Sequence, residues 1–287
     1  MRFVGVCQYD GSNYSGFQSQ KNSSSIQDHL ESAISSVGML SERINYAGRT
    51  DAGVHATKQI FDFSSQDHRE TGQWLKGLNS HLPNDIAVSS IQKAPDDFHS
   101  RFDALERSYT YVIYTGKTQP IFLRDYIYWE KHEINLEIMR AEAAYLIGTH
   151  NFNSFRGSKC TAKNPVRTVQ SIDIKQQDNF IIISLCANAY LYNMVRIIVG
   201  TLLEISQGSG KNMKTILSAQ DRTIAGKTAQ AQGLFFTGAA YKKINLDAKE
   251  RKKICNIVKK SYGINTIGLL EECIEDSNNC EVLIPLE

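Results

Sequence analysis

Apolar side chains recur along this chain with two periods, and the switches between them outline a succession of strands and helices. Residues 3–9 alternate at a period of two, and Asp10-Gly11 then marks a turn. Ser25 stands at the expected N-cap of a helix carrying Ile26, Leu30, Ala33, Ile34 and Val37 at helical spacing. Residues 44–47 read as the end of a strand. Residues 59–63 alternate polar and apolar, as a half-buried strand would. Trp74, Leu75 and Leu78 predict a helix that ends near Pro83, and residues 86–91 a strand. In residues 107–114 a period of two puts Tyr109, Tyr111 and Ile113 on one face and Thr110, Val112 and Tyr114 on the other. A helix is expected over 136–146, loops with a short strand over 148–169, and a buried strand over 180–186. Leu191, Met194, Val195, Ile198, Val199 and Leu202 then fall at helical spacing and form a core stripe. Arg196 lies off that stripe, one turn after Tyr192 and one turn before Gly200, a glycine that lets another segment come close.

Length and composition narrow the class. With 287 residues the chain has room for two domains, and 41% apolar against 22% charged residues describes a soluble globular protein. No apolar run reaches the length of a membrane span, and the N-terminus lacks the features of a signal peptide, so no membrane association is expected. Cys7, Cys160, Cys186, Cys255, Cys273 and Cys280 show no paired spacing, which signals neither a disulfide framework nor a zinc site; a cytoplasmic setting is expected. Net charge is only +2. Residues 245–287 hold six basic and eight acidic side chains, which leaves 26 against 22, or +4, for residues 1–244. That is compatible with a basic cleft but does not name a substrate.

The chemistry concentrates in Gly48-Arg49-Thr50-Asp51-Ala52-Gly53-Val54-His55-Ala56. Two glycines bracket Arg49, Thr50 and Asp51, no apolar period runs through them, and strand patterns lie on both sides. A tight loop therefore presents a carboxylate, with a guanidinium two residues before it. Asp before Ala-Gly is also a common turn former, since its side chain bonds nearby N–H groups. Arg196, on a largely apolar helix, calls for an anionic partner, either a carboxylate or a phosphate. Phe98-His99-Ser100-Arg101-Phe102-Asp103-Ala104 is a basic and aromatic cluster: its phenylalanines are core, or His99 and Arg101 face phosphate. Lys159, Lys163 and Arg167 read equally as phosphate contacts or as a solvated loop. Gly208-Ser209-Gly210-Lys211 fails as a phosphate loop, because Ile205 and Asn212 occupy the positions of the first glycine and the final hydroxyl.

The nine residues from Gly48 to Ala56 resemble the signature of the TruA family of tRNA pseudouridine synthases. Further matches follow in order between about residues 3 and 241. Residues 9–20 are similar to the first motif, with Phe17 where a tryptophan is usual. Arg107, Tyr109 and Tyr111 resemble the second. His150-Asn151-Phe152, with Asn151 in place of an acid, and Pro165-Val166-Arg167-Thr168 follow. Residues 188–203 match with Asn188 and Ala189 where glycines are usual, and 225–229 with 232–236 resemble the last motif.

The resemblance implies an α/β fold of α+β type, the pseudouridine synthase fold, with two related domains of mainly antiparallel sheet flanked by helices and an active-site cleft between them. The boundaries expected are 1–104, 105–244 and a C-terminal extension, 245–287, with one amphipathic helix. It also implies a homodimer that isomerises uridine to pseudouridine on the 3′ side of the tRNA anticodon stem-loop. Asp51 would be the catalytic carboxylate, Arg196 its ion-pair partner, and Tyr109 the ring against the target base. Leu234 would line the site, and Arg49, His99, Arg101 and Arg167 would hold RNA. The reaction breaks the C1′–N1 bond and joins C1′ to C5 without redox change, so no cofactor, nucleotide or metal is expected. A single carboxylate serves as nucleophile, or as base once a ribose intermediate has formed. It must be ionised, and a paired arginine is expected to lower its pKa. Two other readings stay open: a hydrolase with Asp62 or Asp103 as second acid, and a non-catalytic RNA-binding protein.

Overall fold

The computed structural model describes residues 1–246. In chain order the strands and helices are β1 (Arg2–Tyr9), α1 (Ile26–Val37), β2 (Asn45–Tyr46), β3 (His55–Ser64), α2 (Thr71–His81), β4 (Ile86–Ala94), β5 (Ala104–Tyr114), β6 (Tyr128–Trp129), α3 (Leu136–Ala144), β7 (Gly148–Asn151), β8 (Val166–Gln177), β9 (Phe180–Ala187), α4 (Met194–Ser206), α5 (Met213–Ala219) and β10 (Leu234–Tyr241). The strands form one ten-stranded sheet in the order β4-β1-β3-β10-β5-β9-β8-β7, with β2 on β3 and β6 on β5. Pairing is antiparallel except where β10 meets β3 and β6 meets β5. The last described strand is thus inserted at the middle of the sheet, and it stitches the N-terminal strands to those that follow residue 104. Met1–Asn245 forms one compact unit. The amphipathic helix expected in the C-terminal extension lies outside the described residues.

Local chemistry accounts for the elements. The Ser25 hydroxyl accepts the Asp28 N–H and starts α1, as its position predicts. Trp74 of α2 lies against Phe63 and Phe3, with ring centroids 5.1 and 5.7 Å away, and so ties that helix to β1 and β3. Residues 171–177, for which no element was expected, extend β8 to Gln177 opposite β9.

Two expectations need correcting. β3 is buried on both faces: the polar Gln59 and Asp62, expected to meet solvent, lie on opposite faces and are fully covered, Gln59 by the Gly48 loop and Asp62 by Arg2, Asn45 and the turn at Ser100. Each is satisfied by hydrogen bonds, Asp62 from Arg2, Asn45 and the Ser100 N–H. The other concerns α4, which begins at Met194 rather than upstream. Asn193 sits in the left-handed region at φ 61°, so Leu191 is core from a loop and Tyr192 is not a helical turn from Arg196.

Candidate active site

The loop bearing Asp51 rests on the first motif. A side chain at Gly11 would strike the Val54 carbonyl, and one at Gly16 (φ 98°) would meet the Thr50 carbonyl at 2.6 Å. Those two glycines let the chain of residues 50–54 settle against residues 11–17, where the Phe17 N–H bonds Thr50 O at 3.1 Å. Phe17 itself is fully buried, 4.5 Å from the Tyr46 ring and 6.0 Å from Tyr9, so the smaller aromatic fills its slot. Buried side chains fix the loop from below. The Gln59 amide donates to Gly48 O at 2.7 Å and accepts the Gly48 N–H at 3.4 Å, and the Tyr9 and Thr50 hydroxyls share a bond of 2.8 Å. Asp51 then sits on a turn closed by Val54 N–H onto Asp51 O.

Arg196 arrives from the other side. Its Nη1 lies 3.4 Å from Asp51 Oδ2 and 3.3 Å from Asn193 Oδ1, and its Nε donates to Ala229 O at 2.8 Å. Both charged side chains keep 18% of their surface exposed. The Ala229 N–H in turn bonds Arg196 O at 3.0 Å, so one residue holds the backbone and the guanidinium of the same arginine. Gly200 admits this strap as expected: any side chain there would collide with the Lys227 carbonyl. Gly226 N–H donates to Thr201 Oγ1 at 2.9 Å, and Lys227 N–H to Glu204 Oε1 at 2.8 Å.

Between loop and helix lies a cavity of about 600 Å³. Among the sequence candidates, Asp51, Arg196, Tyr109, Leu234, Arg49, Arg101 and Arg167 all line it. His99 and Lys163 do not. Among the described residues, Asp51 is the one carboxylate in a wall that also carries six cations: Arg49, Arg101, Arg107, Lys159, Arg167 and Arg196. Neither candidate second acid reaches it, since Asp62 is enclosed with Arg2, and Asp103 accepts the His99 N–H and faces Lys243. Asn188 and Ala189 are not among the residues with positive φ, so the backbone there does not require glycine.

Burial pushes the Asp51 carboxyl above its ordinary value. Arg196 and Arg49 pull the other way without cancelling that effect, which reverses the lowered pKa expected from pairing alone. Tyr109 is buried with its ring edge-to-face against Tyr190 and Phe236, each 5.1 Å away, and burial also raises its phenol pKa.

Sequence reasoning missed Gln59 as a support and underrated Arg107. The Arg107 guanidinium donates to Ala47 O, Ala104 O and Asn188 O at 2.7 to 3.1 Å and also to Arg101 O, fastening four carbonyls around the cavity. Its motif position marked it; nothing in the pattern named carbonyls as its partners.

Residues 6–103 and 143–242 match the family model described as tRNA pseudouridine synthase. The chain belongs to that family. A protein named tRNA pseudouridine synthase A from Francisella tularensis subsp. holarctica (strain OSU18) is 38% identical over 250 residues, 86% of this chain and 97% of its own. The namesake from Francisella philomiragia subsp. philomiragia is 37% identical over the same shares. Among solved structures, the archaeal box H/ACA sRNP Nop10–Cbf5 complex matches with a TM-score of 0.37 and 12% identity, covering 95% of this chain and 58% of that one. That likeness is too loose to inform the site. Membership makes this chain an isomerase that forms pseudouridine. Among the described residues, no helix is long and apolar enough to cross a membrane.

Proposed function

We propose that this chain converts uridine to pseudouridine in tRNA with Asp51 as its catalytic carboxylate. The observation that carries the reading is one carboxylate, 3.4 Å from Arg196, in a cavity whose other charged wall residues are all cations. Such a wall suits a polyanionic backbone, and the single acid is left for the ribose. In the reaction the C1′–N1 bond breaks, the base turns, C1′ joins C5, and the C5 proton is lost while N1 gains one. Asp51 acts on this sequence as nucleophile at C1′ or as base toward the ribose, and both roles need it ionised and aimed. Arg196 supplies the aim and the opposing charge. Tyr109 and Leu234 shape the space for the base.

A base inside a duplex has to be flipped out to reach this depth, at a cost of roughly a few kcal/mol. Arg49, exposed beside Asp51, is the group we assign to the vacated space or to phosphate, with Arg101 and Arg167 along the RNA backbone. His99 stands outside the cavity and is assigned no contact there. On the family pattern we further propose the 3′ side of the anticodon stem-loop as the target, a homodimer as the solution form, a cytoplasmic setting, and residues 1–104 and 105–244 as two domains sharing the sheet.

The test is tritium release from tRNA labelled at uridine C5, with wild type beside Asp51→Asn. We expect release by wild type and a loss of about 10⁴-fold or more in the variant, with tRNA binding retained. Equal release by both would overturn the assignment. Free uracil in place of pseudouridine would make the chain a hydrolase.

A further inference from the structure

We propose that Phe102 is a stacking platform for one unstacked nucleobase next to the flipped uridine, at the mouth of the catalytic cavity. The proposal rests on the tRNA reading above and adds a subsite to it. Phe102 is 73% exposed, an unusual place for a phenyl ring on a segment this firmly held. Its turn is anchored at every step. Phe98 is buried and its carbonyl accepts Arg2 at 2.6 Å; the Ser100 N–H bonds the buried Asp62 carboxylate at 2.7 Å; the Tyr241 hydroxyl reaches Ser100 O at 2.7 Å. Asp103 closes the turn by accepting the His99 N–H at 3.0 Å, and Arg107 holds Arg101 O. The backbone that carries the ring is therefore fixed before any ligand arrives, which lowers the ordering cost of a binding surface there.

Its neighbours suit a base. The His99 imidazole lies 4.3 Å from the ring, inclined at 50°, and the Arg101 guanidinium 5.6 Å from its centroid. Arg101 also lines the cavity, and its charge is felt at the Tyr46 phenol together with that of Arg49. The ring thus stands one residue beyond Arg101, a cation of the wall that holds Asp51. A single exposed apolar side chain is ordinary on any surface. An exposed aromatic on a fixed backbone, beside two planar cationic or polar groups and next to a wall residue of a site that must unstack a base, is a recognisable base-stacking arrangement. Extruding the uridine removes a stacking partner from each neighbouring base, and the Phe102 face replaces one of them irrespective of base identity.

The test uses the full chain with Phe102→Ala, Phe102→Leu and Phe102→Trp. Turnover is read by tritium release from tRNA, and stacking by fluorescence of an anticodon stem-loop RNA carrying 2-aminopurine at either neighbour of the target uridine. KM should rise about tenfold for Phe102→Ala and Phe102→Leu, with a smaller change in kcat, and Phe102→Trp should restore it. Quenching of one probe position should be present with wild type and Phe102→Trp and absent with the other two. Unchanged KM and quenching in Phe102→Ala would overturn the platform, as would a halved particle mass by light scattering, which would make the ring a subunit contact. The fluorescence arm needs no turnover, so failure of the isomerase reading and failure of the platform are separately visible.

Discussion

The two sides of the cavity hold their key residues by different means. Asp51 sits on a loop secured by buried polar side chains: Gln59 on the N–H and the carbonyl of Gly48, and Tyr9 on Thr50. Arg196 sits on a helix secured by backbone, with the strap of residues 226–229 laid over Gly200 and clasping the guanidinium through Ala229 O. The acid side should therefore be sensitive to the loss of hydrogen-bonding groups, and the arginine side to added volume. On the acid side bulk is excluded beneath the loop, at Gly11 and Gly16, while the face toward the cavity is open. On the arginine side the clasp on Arg196 is the backbone of Ala229, which every residue carries, while the Thr201 hydroxyl and Glu204 carboxylate hold the start of the strap.

After the loss of Asp51 itself, the largest effect is expected where the sides meet. Arg196→Ala removes the guanidinium 3.4 Å from Asp51 Oδ2 and leaves a mostly covered carboxylate without its hydrogen-bonded partner. We expect kcat to fall about 10²–10⁴-fold, the rate equivalent of the roughly 3–5 kcal/mol such losses cost, while tRNA affinity changes little. An equal loss of binding would make Arg196 a phosphate contact. Gly200→Ala comes next and tests the strap. In a helix interior Ala normally gains about 1 kcal/mol over Gly. Here the added Cβ meets the Lys227 carbonyl, which cannot swing aside while Gly226, Lys227 and Ala229 are each tied to α4. A net loss of about 2–3 kcal/mol in a denaturant titration should result, with lowered kcat as Ala229 O shifts. A gain in stability would show that the strap is loose.

On the acid side the matching change keeps volume and removes polarity. Gln59→Met leaves the Gly48 N–H and carbonyl without their buried partner, at about 1–3 kcal/mol. Part of that should surface as misplacement of Asp51, with kcat down roughly tenfold and KM nearly constant. If Gln59→Met matched wild type in kcat, the contrast between the two sides would collapse, since the loop would then need no side-chain support.

This contrast also explains how much of the molecule was legible beforehand. Ser25 and the apolar spacing behind it announce α1, and the glycines at 48, 53 and 200 announce close approaches, because each feature acts through its own residue type. The Asp51–Arg196 meeting was readable only through resemblance, as 145 positions separate the two. Gln59 and Asp62 read as solvent-facing from their polarity alone, because a strand pattern does not say which loops, here those at Gly48 and Ser100, will close over it. The start of α4 was misplaced because Leu191 keeps the helical spacing by coincidence, while Asn193 takes a left-handed turn that asparagine tolerates. Arg107 binds carbonyls, which leave no trace in a sequence.

The smallest predicted effect is thermodynamic and bears on Asp51 alone. Burial raises its pKa in the fold above the unfolded value, against the pull of Arg196 and Arg49. A carboxyl shifted upward favours the fold when protonated; that contribution is complete below the unfolded pKa and is lost as pH rises through the folded one. At neutral pH the ionised side chain is thus a net cost, accepted for the sake of the chemistry. Asp51→Asn removes the charge and keeps the shape, and Arg196 still has Ala229 O and Asn193 Oδ1 to bond. The variant should melt slightly above wild type at pH 7, with the difference shrinking as pH falls through the carboxylate range toward about pH 4. Calorimetric melts of both proteins across that range decide the matter. Were Asp51→Asn to melt lower at pH 7, attraction to Arg196 would outweigh burial, and the ion pair would be a stabilising contact as well as a catalytic one.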